Sequence, residues 1–294
     1  QLGLPEPDVD LGVGSGSNAR QTAALLTALQ DALLRLRPRL VVVYGDVNST
    51  LAAALVAAKL HVPVAHVEAG LRSFDDTMPE EINRRVTDTL AELHFVTSPE
   101  AIGNLAREGV PTDRVHFVGN PMIDTLLANL DRFDVAAARR AVGLDPEGAY
   151  GLVTLHRPAN VDDPRAIAAL VVALKEVAGT LPLVFPVHPR GRAAFEQAGL
   201  TSIAGVTVVD PLGYIEFVSL MRGAALVVTD SGGVQEETTV LRVPCITVRP
   251  NTERPITITH GTNRLSTVED LPAAARAALA AGAPPADRVP PLWD

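Results

Sequence analysis

Residues 226–238 read "LVVTDSGGVQEET", a short apolar run that passes through an Asp-Ser-Gly-Gly corner into a segment carrying Glu236 and Glu237. An uninterrupted apolar run ending in Asp230 reads as the carboxyl end of a buried parallel strand. Ser231 then supplies an N-cap, and Gly232 with Gly233 opens a helix without a Cβ to obstruct the exposed N–H groups. This stretch is one βα unit, and its texture recurs on both sides.

Upstream, "RLVVVYGD", "VPVAHVEAG", "LHFVTS" and "VHFVGN" are compact β-branched or aromatic runs closed by Gly, Asp, Asn or Ser. Between them lie Ala- and Leu-rich segments of helical character. In "SNARQTAALLTALQDALLRLRP", Ser17 and Asn18 cap the start, Leu25, Leu29 and Leu33 share a face, and Pro38 stops the helix. "PEEINRRVTDTLAEL" places Pro79 at the first helical position and acids in the opening turn. The second half repeats the pattern with strands in "AYGLVTLH", "LPLVFPVHP", "GVTVVD", "ALVVTD" and "VPCITV" and a helix in "DPRAIAALVVALKEVA". Alternating strands and helices imply parallel sheets with right-handed crossovers, and two such series imply an α/β fold of two Rossmann-like doubly wound domains. The breaks at Gly143, Asp145, Pro146 and Gly148 point to a boundary between residues 1–145 and 146–294. A chain of 294 residues, 47% hydrophobic, is long enough for two cores.

Composition narrows the function. With 25 basic and 34 acidic side chains, a net charge of −9, a broad nucleic-acid-binding face is not expected, and an anionic ligand would have to be met by local cations. The single cysteine, Cys245, sits in an apolar run and suits a cytoplasmic location. No apolar stretch is long enough for a membrane span, and "QLGLPEPDVD" has neither the basic nor the apolar region of a signal peptide. There is no nucleophile elbow, CxxC, HExxH or Walker lysine, so hydrolase triads, a metal centre, P-loop chemistry and a bound cofactor are not expected.

In open parallel sheets, ligands bind beyond the carboxyl ends of the strands. This sequence collects Asp46, Glu68, Asn120, His156, His188, Asp210 and Asp230 at such ends, each of which alone reads as a cap or turn former. The Gly232–Gly233 corner suits a phosphate, although tight βα turns use glycines for their own sake. Glu236 and Glu237 are placed to accept sugar hydroxyls or simply to complement the helix dipole. His156 and Arg157 in "TLHRPANV", with Arg254 in "NTERP", would form a local positive pocket suited to a diphosphate. In the first half the reactive residues are acids: Asp46, Glu68 and the pair Glu80 and Glu81, whose alternative readings are a cap, a partner for Arg72 and helix-start acids.

Taken together, "VVVYGDVNSTLAAALVAAKLHVPVAHVEAGLRS", "MPEEINRR", "VTLHRPANVDD", "TDSGGVQEE" and "NTERP" closely resemble the bacterial non-hydrolysing UDP-N-acetylglucosamine 2-epimerases, in order from Gly14 to about Asn263. The resemblance implies two Rossmann-like domains facing a cleft, as in glycosyltransferase-B folds. It implies interconversion of UDP-N-acetylglucosamine and UDP-N-acetylmannosamine, supplying the latter sugar for cell-surface polysaccharide synthesis, by a homodimer that needs no cofactor. Matched by position, Asp46, Glu68, Glu80 and His156 correspond to the catalytic residues. Ser231, Gly232, Gly233, Glu237 and Arg254 correspond to the UDP grip, with Glu237 on the ribose. Arg157 and His188 resemble positions of a regulatory second substrate site.

The chain also departs from that family. It shows no Gly-Thr-Arg-Pro-Glu opening strand, and its last residues resemble the approach to a closing helix, so either the chain continues in both directions or it is a shortened protein, in which case exposed sheet edges are expected. The rival readings are a hydrolysing epimerase, a glycosyltransferase of similar architecture, and a nucleotide-sugar-binding protein without turnover.

Overall fold

In the computed structural model, which describes residue 3 and residues 5–282 and 289–294, the apolar runs form two all-parallel sheets. The first contains β1 (Val41–Tyr44), β2 (Val64–Val67), β3 (Leu93–Val96) and β4 (Val115–Phe117), in that order. The second contains β5 (Gly151–Thr154), β6 (Leu183–Pro186), β7 (Val206–Val209), β8 (Leu226–Thr229), β9 (Cys245–Val248) and β10 (Asn263–Ser266), in the order β10-β9-β8-β5-β6-β7. The chain thus winds outward in both directions from the central pair β5 and β8, which makes their ends a topological switch point.

The first-half helices are α1 (Asn18–Leu36), α2 (Asn48–Lys59), α3 (Pro79–Leu90), α4 (Pro99–Arg107), α5 (Pro121–Ala128) and α6 (Val135–Ala141). The later ones are α7 (Pro158–Val161), α8 (Pro164–Ala178), α9 (Pro189–Gln197), α10 (Tyr214–Gly223), α11 (Gly232–Leu241), α12 (Ile256–Thr259) and α13 (Leu271–Ala281). Pro79 opens α3 as its fixed φ favours. Ser17 and Ser231 occupy N-cap positions, but neither side chain makes a capping hydrogen bond.

Contacts divide the chain into two compact units, one ending at Pro121 and the other running from Met122 to Asp294. That division lies earlier than the Gly143–Gly148 break from which the 1–145 and 146–294 boundary was expected. The reason is packing. Ile123 and Leu126 of α5, Phe133, and Ala138 of α6 share a core with Tyr150, Leu152, Val227, Cys245 and Trp293. The break itself is a tight, largely exposed return at the edge of that core: Arg139 donates to Pro146 O at 2.6 Å and its guanidinium lies 4.8 Å from the Tyr150 ring centroid.

Strands β6, β8 and β9 are buried throughout, whereas β1 lies at the end of its sheet with Val42 and Tyr44 exposed. β10 was not anticipated, because "NRLS" has no apolar run; its Asn263 instead serves a buried polar network. Among the described residues, no helix is long and apolar enough to cross a membrane.

Candidate active site

Parallel register aligns the strand ends of the first unit. Tyr44 pairs with Val67 and Val67 with Phe95, so the residues that follow β1 and β2 emerge side by side. Gly45 turns the chain with φ 62° and delivers Asp46; Glu68 itself turns it with φ 71°. A left-handed conformation at a glutamate costs about 1–2 kcal/mol and persists only where neighbours enforce it. Here the N–H groups of Glu68 and Ala69 both donate to Phe95 O, at 3.0 and 3.1 Å. The strain aims the carboxylate toward Gly45.

Asp46 is held from two directions. Arg84 Nη2 pairs with its carboxylate, and Asn83 Nδ2 donates to its carbonyl at 2.8 Å. Both partners come from α3, the helix whose first turn presents Glu80 half-buried. The adjacent Glu81 has a different task. Its buried carboxylate accepts from Ser73 N at 2.8 Å, Ser73 Oγ at 2.9 Å, Phe74 N at 3.2 Å and Arg84 Nη1 at 2.9 Å, closing the preceding loop. The pairing of Arg72 with Glu68 considered from the sequence does not form: Arg72 engages Asp88 at 2.7 Å and Glu108 at 2.6 Å.

In the second unit Asp230 organises the switch point. Fully buried at the end of β8, it accepts from the N–H groups of His156 and Arg157 at 3.1 and 2.9 Å and from Asn160 Nδ2 at 3.0 Å. His156 Nδ1 lies 3.1 Å from the same carboxylate, so that nitrogen carries a hydrogen and Nε2 is the atom left for a ligand. Burial would raise the Asp230 pKa, but the His156 contact, Asn160 and the Arg157 N–H outweigh it and hold the carboxyl below its usual range.

The glycine corner has a guanidinium laid across it. A Cβ on Gly232 would stand 2.3 Å from Arg254 Nη1, and one on Gly233 would stand 2.8 Å from Met122 Cε. Arg254 Nε lies 3.0 Å from Glu236 Oε1, and its Nη1 donates to Glu253 Oε1. Glu253 also meets Arg249 at 2.7 Å and Arg157 at 3.7 Å. Arg157, Arg249 and Arg254 therefore gather around the buried carboxylates of Glu236 and Glu253 beside the start of α11, where a helix favours anions. The Arg157 and Arg254 guanidinium groups are thus paired with buried carboxylates, and Glu236 belongs to this network.

Glu237 lies one residue further along α11 and is buried. Burial pushes its pKa up to about 7, against the lowering effect of a hydrogen bond with Tyr214. His188 is exposed after the end of β6, the strand next to β5. Among the described residues, no group of three or more His, Cys, Asp or Glu side chains is disposed to hold a metal ion.

Sequence reasoning missed Glu253, Arg249, Asn160 and Arg84, and it took Asp230 only as one of several strand-end polar residues. The signal present for Glu253 was its place beside Arg254 in "NTERP".

The profile of the UDP-N-acetylglucosamine 2-epimerase family matches residues 1–287. The UDP-N-acetylglucosamine 2-epimerase of Methanocaldococcus jannaschii is 42% identical over 275 residues, covering 90% of this chain and 75% of the relative. The UDP-2,3-diacetamido-2,3-dideoxy-D-glucuronate 2-epimerase of Pseudomonas aeruginosa is 43% identical over 268 residues, covering 90% and 74%. The crystal structure of the M. jannaschii enzyme in complex with UDP-GlcNAc and UDP superposes with a TM-score of 0.86 at 41% identity, covering 94% of this chain and 78% of that one. The chain belongs to the UDP-N-acetylglucosamine 2-epimerase family.

Proposed function

We propose that this protein interconverts UDP-N-acetylglucosamine and UDP-N-acetylmannosamine without net hydrolysis. The observation that carries the reading is the placement of Asp46 and Glu68 on adjoining turns at the ends of neighbouring parallel strands. The second unit's Gly232 corner beneath Arg254 supplies the matching requirement, a seat for a diphosphate.

The chemistry follows from the substrate. The hydrogen on C2 is not adjacent to a carbonyl, so its removal without loss of the leaving group would create an unstabilised carbanion. Cleavage of the C1–O bond gives C1 oxocarbenium character and acidifies C2. A carboxylate takes the proton, the C–H electrons form the C1–C2 double bond, and UDP departs with the C1–O electrons. Re-addition of UDP at C1, with a proton delivered to the opposite face of C2, gives the epimer. Asp46, Glu68 and Glu80 are assigned to these proton transfers, His156 and Arg254 to the leaving diphosphate, and Ser231, Gly232, Gly233 and Glu237 to UDP binding.

A second substrate is favoured by one specific finding. The P. aeruginosa relative, as similar as the archaeal one, is named for a diacetamido-glucuronate sugar. Both names describe epimerisation at C2 of a UDP-linked sugar, so the reaction is common and the substituents differ. The proposal further includes a cytoplasmic homodimer. The test is incubation with each UDP-sugar followed by proton NMR: a UDP-linked epimer is expected, whereas free N-acetylmannosamine with UDP would identify a hydrolysing enzyme and no change would refute both.

A further inference from the structure

Beneath the turns carrying Asp46 and Glu68 lies a buried pair that takes no part in the proton transfers proposed above. His66, in the middle of β2, and Asp88, on α3, are both inaccessible to solvent. His66 Nδ1 is 2.6 Å from Asp88 Oδ1, and its Nε2 is 2.8 Å from Gly45 O. A carbonyl oxygen can only accept, so Nε2 carries a hydrogen and donates to the peptide that leads directly into Asp46.

The other carboxylate oxygen reaches the second turn. Asp88 Oδ2 accepts from Gly70 N at 3.1 Å and pairs with Arg72 Nη2 at 2.7 Å. Gly70 adopts φ 77° and closes the turn that Glu68 begins at φ 71°. Asp88 thus holds the Glu68 turn directly and the Gly45 turn through His66. Burial alone would raise the Asp88 pKa, but the contacts with His66 and Arg72 lower it.

Resting on the epimerase reading, we propose that His66 and Asp88 are positioning residues for the reaction: Asp88 fixes the Glu68 turn through Gly70 N–H, and His66 transmits the same anchor to the Gly45 carbonyl and hence to Asp46. Two carboxylates serving one C2 atom must keep a fixed separation, and displacements near 1 Å cost about a hundredfold in rate. A single α3 carboxylate tied to both turns meets that need. A pair serving stability alone would make no distinction between the two ring nitrogens.

The ring nitrogens can be separated by substitution. In His66→Gln the amide nitrogen takes the place of Nε2 and keeps the bond to Gly45 O; in His66→Asn it takes the place of Nδ1 and keeps only Asp88. We expect H66N to lose turnover by about thirtyfold or more, with KM and the UDP dissociation constant within about threefold, while H66Q stays within about tenfold of wild type. H66N turning over like wild type, or both variants falling equally and in step with their melting temperatures, would overturn the proposal. If neither histidine variant folds, Asp88→Asn decides, because its amide preserves the shape, with Oδ1 accepting from Gly70 N and Arg72 and Nδ2 donating to an unprotonated His66 Nδ1. Folded D88N should remain within about tenfold, and a loss beyond about a hundredfold would refute a positioning role. Wild-type turnover is the reference in each comparison, so a wild-type protein that epimerises nothing would reject the activity and leave the positioning claim separately identifiable.

Discussion

Gly45 and Glu68 meet across the ends of neighbouring strands: a Cβ on Gly45 would stand 3.2 Å from Glu68 Oε2, and both residues hold positive φ, 62° and 71°. Glycine is required at 45 twice over, for its backbone conformation and for the room it leaves the carboxylate. Gly45→Ala is expected to lower turnover at least about tenfold and to cost about 1–2 kcal/mol of stability, with UDP affinity unchanged. Steady-state kinetics alongside urea denaturation measures both. Wild-type turnover in a folded G45A protein would show that the Glu68 position is not critical.

The diphosphate seat makes a separate prediction. A methyl at position 232 would lie 2.3 Å from Arg254 Nη1 and 2.7 Å from Glu253 Oε1, so Gly232→Ala must displace the guanidinium that covers the start of α11. UDP affinity should fall by about tenfold or more, the range of a lost charge-assisted contact. Calorimetric titration with UDP reads this directly. An unchanged dissociation constant would place the diphosphate elsewhere.

Glu237 gives a pH signature. Burial raises its pKa from 4.5 to about 7, so the folded state favours the neutral carboxyl more than the unfolded state does. The resulting stabilisation is fully present below pH 4.5 and is lost as pH rises through about 7. Glu237→Gln should therefore flatten the fall in melting temperature of the ligand-free protein across that window. A slope identical to wild type would mean that Glu237 ionises normally.

Much of this was legible in the sequence, and what was not has physical causes. The strands followed from β-branched runs closed by Gly, Asp, Asn or Ser, and α3 from Pro79 and the acids of its opening turn. β10 was not legible because its buried residues, Asn263 and Ser266, are polar, and Asn263 finds its partners, Thr247 and Gln235, only in the folded chain. The contact division falls before Gly143 because glycine and proline mark a turn, whereas Phe133 and Ala138 on its N-terminal side pack with Tyr150 and Leu152. At the site, Asp46, Glu68 and Gly232 stood out by chemistry and position at strand ends. Glu80 and Glu81 could not be separated until the loop at Ser73 and Phe74 showed which one it binds. Asp88 acts by contacting His66 and Arg72, residues distant in sequence, and no local pattern distinguishes it from a surface charge.

The central claim is that Glu68 exchanges the C2 proton of a UDP-sugar whose UDP is held independently by the second unit. The most direct measurement is incubation with UDP-N-acetylglucosamine in deuterated water, following C2 by proton NMR for wild type and Glu68→Gln with UDP binding measured in parallel. The account predicts deuterium at C2 in both epimers with the wild type, and none with E68Q although UDP still binds; C2 exchange retained in E68Q would contradict it.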